Sequence, residues 1–285
     1  MIHWSPFEVV TVWAIGRRLA LLLAAVAAYT VATWWLIRWL DLQVPDWGSA
    51  VEVINTVILG LLMGFRNRAA YDRWWEARGL WGQLTNDSRN LAAKLAAYVP
   101  AKVLDPSRVG DMLAGFAVAL KDHLRGERSR LQNVPGFESE KEDPPHVPLY
   151  LSRKLFSLVA GWKRAGDIDD VTVWILDPHL RGLLDVCGGC ERIRNTPLSP
   201  SYKALLRTGL VVNVLAGPWL AMSAFGPWSV LFFELACFFL LGVELIDSLV
   251  EEPFGHERDD LDLDRYCGTI RDGVAASLPL LGEVV

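Results

Sequence analysis

Four apolar runs interrupt an otherwise mixed sequence and set its plan. Leu19 to Leu40 carries one charge, Arg38, over 22 residues. As a helix it rises about 33 Å, enough for a hydrocarbon layer of about 30 Å. A secretory signal has a similar start, with Arg17 and Arg18 ahead of the run. Its apolar core is only about 7–15 residues, so a retained anchor is expected. The second run, 50–65, is short and contains Glu52, Asn55 and Thr56. A helix facing lipid does not tolerate these easily, so this one is expected to face protein or water. The third and fourth runs, 204–225 and 228–246, are separated by Gly226-Pro227 and predict a tight helical hairpin.

Between the second and third runs the pattern changes to mixed polarity at helical spacing. Residues 66–99 contain no proline and many Ala, Leu, Arg and Glu, so they continue the second helix. A helix of about 50 residues is about 75 Å long and must project well past a bilayer. Met112, Phe116, Leu120 and Leu124 recur every fourth residue and place another helix at 107–125. The polar stretch 126–147, with Pro135, Pro144 and Pro145, reads as a loop. Helical patterns resume at 149–164 and 169–193. No strand alternation of useful length and no internal repeat occurs. The expected class is all-α, as a single domain over 1–285: four membrane helices and a cytoplasmic helical part at 66–203 and 247–285.

Composition sharpens this picture. The 285 residues are 52% apolar yet 21% charged, with 13 Trp, and the mean hydropathy is +0.25. That suits a membrane part joined to a watery one, with Trp at the interfaces. A net charge of −5 lacks the basic footprint of a nucleic-acid binder. Lys and Arg sit at one side of the predicted spans: Arg17 and Arg18 before the first, Arg66, Arg68 and Arg73 after the second, Lys203 and Arg207 at the third. The connections at 41–49 and 226–227 have none. Both termini and the middle segment are therefore expected in the cytoplasm, with the protein in the inner (plasma) membrane and Arg38 reaching the outer surface.

Three separated blocks resemble the bestrophin family: GFRNRAAYDRWWEARGLWGQLTNDSRNLA at 64–92, ERIRNTPLSPSY at 191–202 and EEPFGHERDDLDLD at 251–264. They occur in the family's order, and with the four spans the resemblance covers nearly the whole chain. It implies a homopentameric ion channel whose second span lines a central pore. The implied hydrophobic neck is Val57, Leu61 and Phe65. The implied cytoplasmic aperture is Leu198, four residues before Tyr202. Partners are then further copies of the chain, the lipid bilayer and small monovalent ions. Eukaryotic members of that family mostly pass chloride and related anions and are opened by calcium, while at least some bacterial members favour small cations. The short chain looks like a bacterial member.

The residues themselves allow the same reading of the neck. Positions four apart stay on one helix face, and a ring of apolar side chains in a narrow pore gates by dewetting. An ordinary lipid-facing or core stripe has the same spacing. Asp41, Asp46 and Glu52 lie near the expected outer mouth, and acidic rings favour cations. Glu52 and Asp46 are therefore the candidate selectivity residues, with a slight lean to sodium or potassium over chloride. Arg66 and Arg68 follow the neck and could present positive charge to the inner vestibule, and their direction is not readable from spacing. No cofactor is expected. Asp259 and Asp260 are the candidate calcium ligands, because calcium takes six to eight oxygens. His256 and Arg258 interrupt that run, and an acidic segment starting a helix explains it equally.

Other features call for ordinary roles. Arg73, Trp74, Trp75 and Arg78 suit stacking and anchoring below a bilayer. Glu234 inside the fourth run needs a partner in the bundle, and Asn213 is the candidate. Cys187 and Cys190 form a C-x-x-C without a second pair for zinc or a βαβ setting for redox work. The five His show no metal spacing, and no phosphate loop or nucleophile elbow is present. An enzyme is therefore not expected. A non-conducting structural membrane protein is the remaining alternative, and the polar second run argues against it.

Overall fold

The computed structural model describes residues 6–43, 48–127, 130–134, 136–138, 144–257 and 259–278. Eight α-helices make up the described residues: α1 (Pro6–Trp39), α2 (Gly48–Tyr98), α3 (Pro106–Arg125), α4 (Val147–Ala165), α5 (Asp170–Asn195), α6 (Pro200–Phe225), α7 (Ser229–Val250) and α8 (Leu263–Ser277). Two short 3-10 turns lie at Leu131–Asn133 and Gly226–Trp228. No strand occurs among the described residues. Four helices are long and apolar enough to cross a membrane, at Gly16–Trp39, Ala50–Tyr98, Pro200–Met222 and Gly226–Val250.

The chain forms two compact units. The first holds the residues up to Asp72 and Leu198–Glu251; the second holds Arg73–Pro197 and the residues from Glu252 onward. The division falls inside α2, which is one unbroken helix. In the first unit α1, α6 and α7 pack together. Val26, Leu59, Met63, Leu206, Leu210, Phe233, Cys237 and Leu240 form its core. Its outside is strongly apolar, with Leu21, Trp35, Trp39, Val211, Leu215, Phe232, Leu235 and Phe239 all exposed. An apolar surface of that extent is unfavourable in water and ordinary in lipid.

The second unit is built as a water-soluble domain is. Its core gathers Trp81, Leu84, Leu91, Phe116, Leu120, Leu151, Leu183, Val186 and Ile270. Side-chain caps start its helices. The Asp105, Asp169 and Asp262 carboxylates accept from the backbone N–H groups of Arg108, Thr172 and Arg265 at 3.1, 2.8 and 3.0 Å. Such a cap is worth about 1 kcal/mol. Gly126 and Gly166 end α3 and α4 with φ of 72° and 78°, the left-handed region that lets the last carbonyls be satisfied. The acidic run after Pro253 thus does start a helix, through Asp262.

Candidate functional site

The site is built on the two faces of α2. At about 100° per residue, Val57, Leu61 and Phe65 form one stripe, and Glu52, Leu59, Met63, Arg66 and Ala70 form another about 180° away. The second stripe is buried, and the first is 64, 60 and 60% exposed. Gly60 and Gly64 lie beside the exposed stripe with open space around them. The next turns of that stripe carry Arg68 and Asp72, a loose exposed pair at 3.8 Å. The two arginines therefore part company: Arg68 continues the neck stripe, and Arg66 turns inward.

The buried stripe is fixed by polar contacts. Glu52 Oε1 accepts from Thr56 at 3.2 Å and from Asn213 at 3.3 Å, and Asn213 also donates to Thr56 at 3.1 Å. The Tyr202 hydroxyl donates to the Leu62 carbonyl at 2.9 Å and ties the start of α6 to α2. Arg66 is enclosed and pairs with Glu244, while its other arm lies 4.0 Å from Glu251. Arg207 donates to Glu244 at 3.0 Å, and Lys203 pairs with Glu251. Asp247 is buried in the same region. Glu244 and Asp247 on α7, with Glu251 just past its end, lie on one side, set against Arg66, Lys203 and Arg207.

Two sequence expectations are corrected. Glu52 is buried on the face opposite Val57, Leu61 and Phe65, because Thr56 and Asn213 solvate its carboxylate inside the bundle. It does not share a face with the neck stripe. Asn213 serves Glu52 rather than Glu234, whose Oε1 has no hydrogen-bond partner among the described residues. Asp259 and Asp260, the candidate calcium ligands, lie in the segment that leads into α8. Asp260 Oδ2 accepts from the Glu257 N–H at 2.6 Å, Asp262 caps α8, and Asp264 pairs with Lys121 at 2.8 Å and Arg125 at 3.0 Å. Burial pushes the Asp260 carboxyl up to about 6. Asp46 lies outside the described residues. Asp41 is exposed, in a left-handed turn with φ 50°. Leu198 is half-buried in the link between α5 and α6.

The block around Trp74 is a structural fastening within the second unit. Arg73 donates to the carbonyls of Thr196 at 2.5 Å and Ile193 at 2.7 Å, at the end of α5. Trp74 Nε1 donates to the Asp259 carbonyl at 3.0 Å. Arg78 lies 5.3 Å from the Trp75 ring centre. Cys187 and Cys190 are free and buried, and burial pushes the Cys187 thiol up to about 12. Both are inert thiols. Sequence reasoning missed Glu251 and the inward turn of Arg66. The register 59, 63, 66, 70 carries the signal for the latter, since Arg66 falls in line with three apolar positions.

Comparison with known proteins fits this geometry. The family model for bacterial and fungal bestrophin proteins matches residues 3–276. A Nostoc sp. protein named as a voltage-dependent anion channel-forming protein is 33% identical over 241 residues, covering 78% of this chain and 75% of its own. A Mesorhizobium japonicum protein of the same name is 32% identical over 252 residues, covering 85% and 79%. The crystal structure of a bacterial bestrophin homologue from Klebsiella pneumoniae superposes with a TM-score of 0.82 at 24% identity, over 93% of this chain and 98% of that one. With its four membrane-length helices and the inward-pinned second helix, the chain belongs to the bacterial and fungal bestrophin family.

Proposed function

We propose that the chain assembles as a homopentamer in which the exposed stripe of α2 lines a central pore, and that it passes small monovalent ions down their gradient. It is a channel rather than an enzyme. One observation carries the reading: Val57, Leu61 and Phe65 stay exposed on the face of α2 opposite the polar contacts that hold the helix. A lipid-facing helix needs no buried carboxylate and arginine to fix its rotation; a pore helix must present one face. Three apolar rings of five side chains each would form a neck that gates by dewetting, with Leu198 as the aperture on the cytoplasmic side. Passive flux requires no cofactor, and none is proposed. Both termini are placed in the cytoplasm of a plasma-membrane protein, on the Lys/Arg asymmetry of the spans.

Charge selectivity has two readings. Chloride and other anions are supported by the names of the relatives and by Arg68, which follows Phe65 on the exposed stripe with its side chain 82% exposed. Sodium and potassium are supported by Asp41, exposed beyond the end of α1. The burial of Glu52 removes one acid from the cation reading and favours anions. The deciding experiment is the reversal potential in a planar bilayer across a NaCl gradient. A shift toward the chloride equilibrium potential supports the anion reading, and a shift toward that of sodium supports the cation reading. Intact pentamers without current would overturn the channel reading altogether.

A further inference from the structure

The two ends of the long connection between α3 and α4 meet on α5. His123 lies in the last turn of α3, and His146 caps the start of α4. Their Nε2 atoms stand 2.8 and 2.7 Å from the same oxygen, Glu191 Oε1 on α5. The two rings are 4.5 Å apart, centre to centre. All three side chains are 27–29% exposed, so the cluster is held by the fold yet open to water.

We propose that His123, His146 and Glu191 bind one divalent transition-metal ion, zinc foremost, through the two Nε2 atoms and a Glu191 oxygen, with water in the fourth position. Two imidazoles and one carboxylate, with an open position, form a ligand set that zinc accepts. Imidazole nitrogen selects zinc, copper, nickel or cobalt over calcium and magnesium. Zinc bonds of roughly 2.0–2.2 Å in a tetrahedron hold ligand atoms about 3.3 Å apart. The present hydrogen-bond spacing must open by about half an ångström, within reach of side-chain rotation. His146 Nδ1 accepts the Leu149 N–H at 3.1 Å, so its proton sits on Nε2 and points at Glu191. Metal binding moves that proton to Nδ1 and gives up this one cap bond. In return the ion closes the connection between residues 123 and 146 at both ends, an ordering that a metal clip favours. Arg194, which donates to the His123 carbonyl at 2.9 Å, is the opposing charge, offset by the Glu191 carboxylate.

The test uses the full chain in detergent, freed of metal with a chelator and titrated with zinc by calorimetry. One zinc per chain is expected. Affinity should fall at least tenfold in Glu191→Gln and in His146→Gln, and should stay unchanged in His256→Gln, whose exposed ring pairs with Glu127. Cobalt(II) added to the unaltered protein covers the case in which a variant does not fold. Strong visible absorption of a four-coordinate site is expected, and the pale spectrum of a six-coordinate ion overturns the proposal. So does zinc binding that is absent, or that persists equally in both cluster variants.

Discussion

Arg66 and Glu244 form an ion pair in the interior of the first unit, on the face of α2 that points away from Leu61. A buried pair is weak as a source of net stability, because desolvating two charges costs about what their attraction returns. Its value is specificity. Rotating α2 by half a turn would move Arg66 to the outside and strand Glu244 in the apolar bundle. The pair therefore fixes which face of the helix carries Val57, Leu61 and Phe65.

Removing one partner leaves the other only partly compensated. Arg66→Met should lower stability by about 3 kcal/mol, in the range for breaking a buried pair. Glu244 keeps Arg207, and Glu251 keeps Lys203, which holds the loss near the lower end. Glu244→Gln should cost less than Arg66→Met, and the double variant Arg66→Met/Glu244→Met less than the sum of the two singles. Melting temperature in detergent measures all three. Additive losses would mean that the two side chains are not coupled.

Leu61 makes the opposite case. It is exposed within the chain, so Leu61→Ser should change the stability of the subunit by no more than about 0.5 kcal/mol. A polar ring in place of an apolar one lowers the dewetting barrier. Single-channel conductance should rise several-fold, with Leu61→Phe lowering it. Conductance unaffected by either change would place the barrier away from this stripe.

Much of this was legible in the chain and some of it could not be. Spacing of four along 57, 61 and 65 marks a helix face, and the Pro-free run to residue 98 marks the extension of the same helix. Spacing does not say which face of a membrane helix meets lipid, water or protein. The direction of Arg66 is open in the sequence, since a charge can seek the watery vestibule or an interior partner; here Glu244 on α7 provides the interior partner. Asn213 pairs with Glu52 rather than Glu234 because α6 brings it beside α2, a tertiary fact. The cluster of His123, His146 and Glu191 was out of reach for the same reason: its members are 23 and 45 positions apart and share no local motif.

Glu52 supplies a prediction that inverts the sequence-based expectation. Its position near the expected outer mouth suggests a selectivity ring, so that Glu52→Gln should weaken cation preference. Its burial against Thr56 and Asn213 says otherwise. Gln keeps an oxygen able to accept from both partners, so the fold should tolerate the change. The reversal potential across a NaCl gradient should stay where it is in the unaltered channel. A displaced reversal potential would return Glu52 to the conduction path.

Asp260 gives the second unit a pH dependence of defined sign. Burial raises its carboxyl to about 6, and the nearby charges of Glu257, Asp259 and Glu252 act the same way, while the Glu257 N–H pulls it down. An unfolded aspartate titrates near 3.9. Between those two values the folded chain holds a proton that the unfolded chain has lost, so stability falls as pH rises through the window. Below about pH 4 the penalty is absent, and above about pH 6 it is fully present. Asp260→Asn keeps an oxygen to accept from the Glu257 N–H and removes the charge. The variant should melt higher than the parent at pH 7.5, with the gap shrinking steadily toward pH 4. Melting curves of both proteins over that range measure the gap directly, and a gap independent of pH would mean that this carboxyl is ionised in the folded chain throughout.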